Sequence, residues 1–404
     1  MIWTLKKLYY RIFQKVMKLA SYFLDWHEPT LLTGAGSIRR LPAEIKKQNI
    51  FSVLIVTDKV IEGLGLFNPL LEGLDESGIA YTVYNGVQPN PSVENIEEAR
   101  QLYLDNGCGA FIAFGGGSPM DCAKVAAARI TNNKPVKKMR GVLRVFHKLP
   151  PVFAVPTTAG TGSESTIAAV VKDMKTHEKY AVTDPKLRPR YAVLDPEVTV
   201  GLPPMITAAT GLDALTHATE AFIGKGNTAY TKECSRKAVR LIFENLEDAY
   251  KDGKNIHARE QMLIASNCAG LAFTRAYVGY VHAIAHTLDG FYDTPHGLAN
   301  AVILPHVLEY FGPVIHEQLA ELADLAGVSP TGTGIGIADK AEAYIQAIKD
   351  LNERLGIPAH FPDILEEDIP LIVERALHEA NPLYPVPMIM GKLDCEAVVR
   401  KVKG

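Results

Sequence analysis

The sequence predicts an α/β domain built on a mostly parallel sheet, followed by an all-helical domain. Between residues 30 and 200, short β-rich runs alternate with helical stretches, which is typical of a parallel sheet covered by helices. From residue 201 onward the apolar residues recur with helical spacing, and β-rich runs nearly vanish. A chain of 404 residues is also long for a single core. We therefore predict an N-terminal extension over 1–27, a sheet domain over 28–200 and a helical domain over 201–404.

The composition is that of a soluble globular protein. Apolar residues make up 47% of the chain, and 45 acidic residues nearly balance 42 basic ones, so nothing indicates nucleic acid as a partner. The five cysteines are widely spread and form no CxxC pair, which argues against a disulfide framework and favours a reducing cytoplasm. No segment beyond the N-terminus offers about twenty consecutive apolar residues, so we expect no spanning helix.

The N-terminal segment predicts a basic amphipathic helix. MIWTLKKLYYRIFQKVMKLASYFLDW interleaves five basic residues with bulky apolar ones, and it lacks the continuous apolar core and cleavage site of a signal peptide. One alternative is that this helix buries its apolar face on the protein's own body or on a partner subunit, as most such helices do. The other is peripheral contact with an anionic membrane surface.

Five β-rich runs predict the strands of the sheet, and each ends in turn or polar residues. They are SVLIVTD (52–58), YTVYNGV (81–87), AFIAFGGG (110–117), PVFAVPTT (151–158) and RYAVLDP (190–196). Ligands of such sheets bind outside the carboxyl ends of the strands. The residues at these ends are therefore the candidates for a binding site.

The third of these strands leads into a candidate phosphate-binding loop. GGGSPMDCAK runs through three glycines into a helix, so backbone amides can approach an anion and the helix N-terminus favours negative charge. Ser118 adds a hydroxyl. A tight strand–helix turn is the alternative, because Met120 occupies the place of the third glycine in the GxGxxG pattern.

Two further segments extend this interpretation. PTTAGTGSE, residues 156–164, follows the fourth strand and is crowded with small hydroxyl residues, which suit a phosphate or ribose but also a capped turn. Asp58 ends the first strand, where its carboxylate could accept both ribose hydroxyls and would repel a 2′-phosphate, favouring NAD over NADP. Its alternative role is an N-cap. Asp58 also precedes the glycines, which is the wrong order for an ordinary Rossmann domain.

The helical half carries a candidate metal site. Asp213 and His217 lie four residues apart on a predicted helix and so share one face; His282 and His286 repeat the spacing, and His296 follows a turn. A carboxylate with several imidazoles suits Fe(II), Zn(II) or Co(II). Each pair alone could be a hydrogen-bonded core pair, but five such residues in one apolar domain favour a metal.

Taken together, these motifs resemble the iron-containing alcohol dehydrogenase family, which has the dehydroquinate synthase-like fold. GGGSPMDCAK, PTTAGTGSE, GLDALTHATEAF and GYVHAIAH with PHGLANAV occur in this order within about residues 28–400. The resemblance implies an α/β N-terminal dinucleotide-binding domain and an all-α C-terminal metal-binding domain. It also implies an NAD- and Fe²⁺-dependent oxidoreductase, with Zn²⁺ as an alternative ion, that forms a homodimer or higher oligomer.

The resemblance also implies a role for each candidate residue. Metal ligands are implied at Asp213, His217, His282 and His296, and His286 is the histidine left free. Cofactor contacts are implied at Asp58, Asn90, Gly116, Gly117, Ser118, Thr157, Thr158, Thr161 and Lys179. We expect the ion to polarise an alcohol oxygen while the nicotinamide accepts hydride. His286 would relay the proton, or else serve as a hydrogen-bond partner that orients a ligand.

The chain departs from the family pattern in a few places, which leaves its substrate open. HTLDG (286–290) replaces the more usual Pro-Leu-Gly-Gly, and Ala168 stands where some members carry a polar residue. The extension over 1–27 is additional, and the connection 134–148 is unusually basic. Small to medium primary alcohols or diols are the expected substrates because the predicted site is apolar.

Two other functions are open at this stage. A lyase or cyclase of the dehydroquinate synthase type would need basic residues around a phosphorylated, carboxylated substrate. The segments predicted to line the metal offer apolar and aromatic residues instead, namely Phe222, Phe273, Tyr277 and Phe291. A non-catalytic, metal- or membrane-associated subunit is the second alternative, and the complete ligand set argues against it.

Overall fold

The computed structural model describes residues 2–174 and 178–404, and these form two compact units. The sheet unit comprises Asp25–Leu202 and Gly253–Asn267. The helical unit comprises the chain up to Leu24 together with Pro203–Asp252 and Cys268–Gly404. The predicted boundaries near 27 and 200 thus lie close to the changes from one unit to the other, and their assignment as domain boundaries stays a prediction.

A six-stranded parallel sheet forms the centre of the sheet unit. Its strands are β1 Thr30–Thr33, β2 Ser52–Val56, β3 Ala80–Tyr84, β4 Ala110–Gly115, β6 Val152–Pro156 and β9 Tyr191–Leu194. Their spatial order is β1-β9-β6-β4-β2-β3, with every neighbouring pair parallel. This confirms the predicted α/β fold and all five predicted strands. β4 is buried along its whole length, as expected for a continuous apolar run covered on both faces.

Helices cover the two faces of this sheet. The helices of the sheet unit up to Thr131 are α2 Leu41–Lys46, α3 Lys59–Gly63, α4 Asn68–Ser77, α5 Val93–Asp105 and α6 Gly117–Thr131. Side chains along each strand point alternately to opposite faces. Leu54 and Phe111 accordingly share one buried cluster with residues of α5 and α6, whereas Val53 and Ile112 share another with residues of α2 and α4.

The strand order defines where a ligand can approach the sheet. The chain leaves β2 toward β3 on one side, and it leaves β4 toward β6 on the other. The carboxyl ends of β2 and β4 therefore border a topological switch point, which is the usual ligand-binding position in open α/β sheets. A small second sheet completes the unit, with strands β5 Gly141–Val142, β7 Ala168–Asp173 and β8 Glu178–Thr183.

The helical unit contains no strand in its described residues, which confirms the all-helical prediction. Its helices, with α9 continuing from the sheet unit, are α1 Ile2–Ser21, α7 Pro204–Ile223, α8 Ala229–Lys251, α9 Ile256–Ala276, α10 Tyr280–Tyr292, α11 His296–Phe311, α12 His316–Leu325, α13 Ile337–Arg354, α14 Ile369–Ala380 and α15 Lys392–Lys403. α7 is buried over most of its length, so its polar side chains lie inside the protein. Buried polar groups require partners.

Two observations bear on membrane contact. The helical stretch His296–Leu325 is long and apolar enough to cross a bilayer, with a mean hydropathy of 1.4 in its most apolar window. However, 61% of that window is buried inside the protein, as in core helices. The N-terminal helix α1 packs on its own helical unit, as the first alternative expected, through a side that carries Arg11, Gln14 and Lys18 together with half-buried apolar residues. Large apolar side chains on its other side are exposed in the single chain, so burial of that side on a partner subunit stays a prediction.

Candidate metal centre and cofactor loop

Three buried acidic and imidazole side chains follow one face of α7. Asp213, His217 and Glu220 are spaced i, i+4 and i+7, which brings them onto one side of a helix. Each is at most 5% exposed. His282 lies in the first turn of α10, and His296 is the first residue of α11. The helical unit therefore directs side chains from three helices to one place.

The side chains predicted to bind metal converge on one oxygen. Asp213 Oδ1 lies 3.6 Å from His296 Nε2, 3.7 Å from His282 Nε2 and 3.9 Å from His217 Nδ1. One donor atom each of Asp213, His217 and His282 lie within 4.8 Å of one another. Donors of a tetrahedral ion with bonds of about 2.1 Å are about 3.4 Å apart. The distances of 3.6 to 3.9 Å between Asp213 Oδ1 and the three imidazole nitrogens are close to that value.

The amide of Asn300 occupies the middle of this group. Its Nδ2 lies 2.7 Å from Asp213 Oδ1, 3.1 Å from His296 Nε2 and 3.2 Å from His282 Nε2. An amide nitrogen has two hydrogens, whereas a carboxylate oxygen and two imidazole nitrogens all lie within hydrogen-bond distance of it. A buried point surrounded by one carboxylate oxygen and imidazole lone pairs suits a divalent cation. The residues present therefore fit the predicted ion.

Glu220 fixes the orientation of His282. Its Oε2 accepts from His282 Nδ1 at 2.7 Å and from the backbone N–H of Gly279 at 2.9 Å, and its Oε1 accepts from Val281 N–H at 2.9 Å. Because a carboxylate can only accept, the hydrogen of His282 lies on Nδ1. In the neutral ring, Nε2 then carries the lone pair that a metal ion would take. Sequence reasoning missed Glu220, although its position seven residues after Asp213 carries the signal.

Burial and charge set the protonation states of the centre. Burial works to raise the pKa of Asp213, but the imidazoles of His217, His296 and His282 hold it well below its usual range. Burial works to lower the pKa of His282, but hydrogen bonds to Asp213 and Glu220 raise it to about 9. Burial lowers the pKa of His296 well below its usual value. An ionised carboxylate and a neutral His296 are the states in which these groups bind metals, whereas His282, with a pKa of about 9, must release a proton when it binds an ion.

His286 lies beside this centre with partners of its own. Its Nδ1 is 2.6 Å from Glu379 Oε1, and the same oxygen accepts from Tyr384 Oη at 2.9 Å. The His286 ring lies 5.0 Å from that of His296, nearly parallel to it. Its side chain is 32% exposed, whereas that of His282 is 2% exposed. The sequence offers no local signal for Glu379, which lies 93 residues away.

Close packing positions the α11 end of the centre. A Cβ atom added to Gly297 would lie 2.3 Å from the carbonyl oxygen of Ala209 and 3.3 Å from Asp213 Cβ. Only glycine therefore lets the first turn of α11 approach α7 this closely. On another side, the His217 ring stacks on Phe273, with 4.1 Å between ring centroids.

In the sheet unit, several predicted cofactor residues lie at the same edge. A Cβ added to Gly116 would lie 3.4 Å from Thr158 Oγ1, and one added to Gly117 would lie 3.0 Å from Thr161 Cγ2. The glycine loop and the hydroxyl segment are therefore in contact. Thr157 is buried, and its N–H donates to the Gly115 carbonyl at 3.0 Å.

The remaining predicted cofactor residues fall at different distances from this loop. Asn90, at a φ of 58°, donates its N–H to Ser118 Oγ at 3.1 Å. Asp58 Oδ1 accepts from the N–H groups of Val60 and Ile61, each at 2.9 Å, so it caps α3 as its alternative role predicted. Contact between Asp58 and a ribose stays a prediction. Lys179 lies on β8 of the small sheet, paired with Lys172.

A buried amine, not considered from the sequence, links α6 to the hydroxyl segment. Lys124 Nζ donates to Ser163 Oγ at 2.8 Å and to Thr166 Oγ1 at 3.0 Å. Asp121 Oδ1 in turn accepts from Ser163 Oγ at 2.9 Å. Burial lowers the pKa of Lys124 to about 8, although Asp121 and Glu164 oppose this effect. These hydrogen bonds hold the hydroxyl segment against α6.

Comparisons with known proteins agree with this architecture. A family model described as iron-containing alcohol dehydrogenase matches residues 29–196, and one described as the C-terminal part of the Fe-containing alcohol dehydrogenase family matches residues 207–402. The 1,3-propanediol dehydrogenase of Klebsiella pneumoniae is 40% identical over 332 residues, 81% of this chain and 85% of that protein. The lactaldehyde reductase of Escherichia coli K12 is 36% identical over 352 residues, 86% of this chain and 91% of that protein.

Solved structures give the same result. A 1,3-propanediol oxidoreductase superposes with a TM-score of 0.90 at 36% identity, covering 94% of this chain and 100% of the other. A sulfoacetaldehyde reductase from Bifidobacterium kashiwanohense, solved with NAD+, gives 0.84 at 29% identity, covering 94% and 99%. These dehydrogenases and reductases do not favour the lyase or cyclase alternative. The chain therefore belongs to the iron-containing alcohol dehydrogenase family and is an alcohol/aldehyde oxidoreductase.

Proposed function

We propose that this oxidoreductase uses NAD(H) and an Fe²⁺ ion held by Asp213, His217, His282 and His296. The observation that carries the proposal is the convergence of one carboxylate oxygen and imidazole nitrogens on the Asn300 amide. A borderline divalent ion accepts such a donor set, and zinc is the alternative ion. Iron is favoured because the family models that match this chain describe iron-containing enzymes.

The support for NAD comes from the sheet unit. The glycine loop and the segment 156–164 meet at the carboxyl edge beside the switch point, where dinucleotides bind in such sheets. We infer that Asn90, Gly116, Gly117, Ser118, Thr157, Thr158, Thr161 and Lys179 contact the cofactor. Asp58 would take the ribose hydroxyls and exclude a 2′-phosphate. The related sulfoacetaldehyde reductase was solved with NAD+, which supports the same choice.

We propose small to medium primary alcohols or diols, or the corresponding aldehydes, as substrates. The relatives are named for 1,3-propanediol and lactaldehyde, which are both short and carry a second oxygen. Phe273, which stacks on His217, gives this side of the centre an apolar surface that suits such substrates. We further infer a homo-oligomer in the cytoplasm, in keeping with five free cysteines.

The side chains of the centre have separate tasks in this proposal. A divalent ion bound there supplies Lewis acidity toward the alcohol oxygen, which eases hydride loss from the carbon. Asp213 provides the negative charge that holds the ion, and Glu220 holds His282 in the tautomer that can bind it. His286 carries its hydrogen toward Glu379 on Nδ1, so its Nε2 can accept the alcohol's proton and pass it outward.

Metal analysis of anaerobically purified protein, with activity measured on NAD and NADP over a panel of alcohols, tests the assignment. We expect about one iron per chain and a preference for NAD. Asp213→Asn should lose both metal and activity. Protein that oxidises alcohols at full rate with no bound metal would refute the proposed centre.

His286→Ala separates proton relay from metal binding. We expect turnover to fall by about a hundredfold or more and its pH profile to change, while the metal stays bound. His378→Ala, an exposed histidine on α14 next to Glu379, is the matched control and should leave turnover unchanged. Loss of metal in His286→Ala would make His286 a ligand instead.

A further inference from the structure

The N-terminal helix α1 is attached to the helical unit by its polar side chains. Arg11 donates to the carbonyls of Val386 at 2.7 Å and Pro387 at 2.9 Å. Gln14, which is 7% exposed, donates to the carbonyls of Pro382 at 3.2 Å and Tyr384 at 2.8 Å. Lys18 donates to the carbonyls of Lys225 and Asn227. Cationic and amide groups thus face the protein, together with the half-buried side chains of Tyr10, Phe13 and Met17.

The apolar side of α1 consequently faces solvent. Six large apolar side chains recur at helical spacing and are each between 53% and 63% exposed. They are Leu5, Leu8, Tyr9, Ile12, Val16 and Leu19. At 100° per residue they fall within an arc of about 100° along about 21 Å of helix. We call this surface the outer stripe of α1.

The charged side chains of α1 itself are all positive. Lys6 and Lys15 are exposed on the two edges of the outer stripe, and no aspartate or glutamate precedes Asp25. An apolar stripe with cationic edges matches the boundary between lipid headgroups and acyl chains in an anionic bilayer. The charge pattern therefore predicts that the outer stripe binds an anionic surface.

A groove beside the outer stripe has the same character. It has a volume of about 390 Å³ and includes Leu8, Val314, Met388 and Ile389, with Lys7 and Arg11 as its cations. Its apolar wall continues from Leu8 of the outer stripe onto the body of the helical unit. A groove that joins apolar side chains to two cations suits an anionic lipid.

A second copy of the chain is a poorer occupant. The outer stripe is about 21 Å long and about 10 Å wide, so a dimer formed by two such stripes would bury about 400 Å² in total. Specific interfaces bury about 1,200 Å² or more. Pairing two stripes would also bring together lysines without a carboxylate from either helix. Area and charge both argue against self-association.

We propose that α1 seats the enzyme on the surface of an anionic phospholipid bilayer, with the outer stripe in the interface and Lys6 and Lys15 at the phosphates. α1 stays packed on the helical unit when it binds lipid, because its contacts with that unit lie on the side opposite to the outer stripe. Residues 1–28 lie outside both matching family models, so this is a property added to the common fold. It does not depend on the proposed cofactor or metal.

Sedimentation of the full-length protein with large vesicles tests this proposal. Vesicles of phosphatidylcholine alone are compared with vesicles that include phosphatidylglycerol. We expect binding only to the anionic vesicles, and weaker binding as NaCl rises from about 0.05 M to about 0.5 M.

Two exposed isoleucines provide a matched pair of variants. Ile12→Glu, on the outer stripe, should lower vesicle partitioning at least about tenfold. Ile337→Glu, on α13, is equally exposed at 53% and should bind like the wild type. Lys6→Glu with Lys15→Glu should also lower binding at least about tenfold. Unchanged thermal unfolding midpoints would show that each variant is folded.

Three outcomes would overturn the proposal. The first is no binding to any vesicle, and the second is equal binding by Ile12→Glu and wild type. The third is a change in oligomeric state on Ile12→Glu, seen by analytical ultracentrifugation, with no vesicle binding by the wild type. That result would make a second copy the occupant.

Discussion

At the scale of single residues, the carboxylate of Glu220 illustrates how one group can determine a site without binding the ion. It accepts three hydrogen bonds, of which one fixes the ring of His282 and two cap the N-terminus of α10. The cap draws on the positive end of the helix dipole, which favours a negative charge there. The same carboxylate thus positions both the ring and the helix that carries it.

Replacing Glu220 should weaken metal binding more than it weakens the fold. In Glu220→Gln, the neutral amide accepts less strongly from His282 Nδ1, and we expect metal affinity to fall by about 10- to 100-fold. Metal titration of the apoprotein measures this effect. Glu244→Gln, an exposed position on α8, is the control and should bind metal like the wild type. Equal affinities of the two variants would contradict the orienting role.

The buried amine of Lys124 should give the stability of the protein a specific pH dependence. Burial lowers its pKa from 10.5 to about 8, so between these values the unfolded chain binds more protons than the folded protein. The free energy of unfolding should therefore rise with pH across this window, and this contribution is lost as pH falls through 8. Relative to Lys124→Met, the wild type should gain up to about 1.4 kcal/mol per pH unit.

Denaturant unfolding at several pH values between 8 and 10.5 measures this difference. Lys138→Met, at an exposed position, is the control, and its difference from the wild type should stay flat. A difference between wild type and Lys124→Met that also stays flat would show that Lys124 does not carry the effect. The slope is the test, because Lys124→Met also removes hydrogen bonds and so changes the absolute stability.

Residue-level prediction from sequence succeeded where spacing along one helix carries the information. The interval of four between Asp213 and His217 is enough to place both on one face, and the structure brings them together with His282 and His296. Asn300 and Glu379 could not be found this way. Asn300 joins the centre through the packing of α11 on α7, and Glu379 reaches His286 from a distant helix. Such contacts depend on tertiary packing.

At the scale of elements, the approach of α11 to α7 depends on the absence of one side chain. A methyl group at Gly297 would collide with the Ala209 carbonyl, so Gly297→Ala must push the first turn of α11 away from α7. His296 is its immediate neighbour. We expect a loss of about 1–3 kcal/mol in unfolding free energy from the collision and a weaker metal affinity.

Gly290→Ala provides the control for this substitution. No atom lies within 4 Å of a Cβ added there, and the position is on α10. Alanine in place of a helical glycine should stabilise the protein by about 0.5–1 kcal/mol. Urea unfolding and metal titration of both variants give the two quantities. If both variants were equally stable, close packing at Gly297 would not be required.

Element prediction was most accurate for the buried parallel strands. β2, β4 and β6 are continuous apolar runs, and their burial on both faces follows from the helices on each side of the sheet. The edge strand β1 was not predicted, because its short sequence TLLT is mostly exposed and carries little apolar signal. The side of α1 that contacts the helical unit could not be predicted for a different reason. Amphipathicity indicates a helix with two faces, but the side that meets the protein depends on acceptors elsewhere.

At the scale of the whole molecule, all four candidate metal ligands belong to the helical unit. Metal binding should therefore stabilise that unit in preference to the sheet unit, by about 2.7 kcal/mol when free metal is 100 times its dissociation constant. The two tryptophans allow this to be measured, because Trp3 lies in the helical unit and Trp26 in the sheet unit.

Single-tryptophan variants separate the two signals. With Trp26→Phe, fluorescence reports on Trp3, and we expect anaerobic addition of Fe²⁺ to raise the unfolding midpoint by about 5–10 °C. With Trp3→Phe, the signal from Trp26 should shift less. Equal shifts in both variants would mean that the chain unfolds as one cooperative unit and would refute the separate stabilisation.

The attachment of α1 has an evolutionary consequence. Arg11, Gln14 and Lys18 donate hydrogen bonds to six acceptors on the rest of the helical unit. All six are main-chain carbonyls, which every amino acid provides. These hydrogen bonds therefore place little demand on the identity of the recipient residues, and mutations there need not be matched by mutations in the donors. A lineage could acquire or discard this segment in a single gene-fusion or truncation event. Transplanting residues 1–28 onto a homologue that lacks them is then a realistic engineering route.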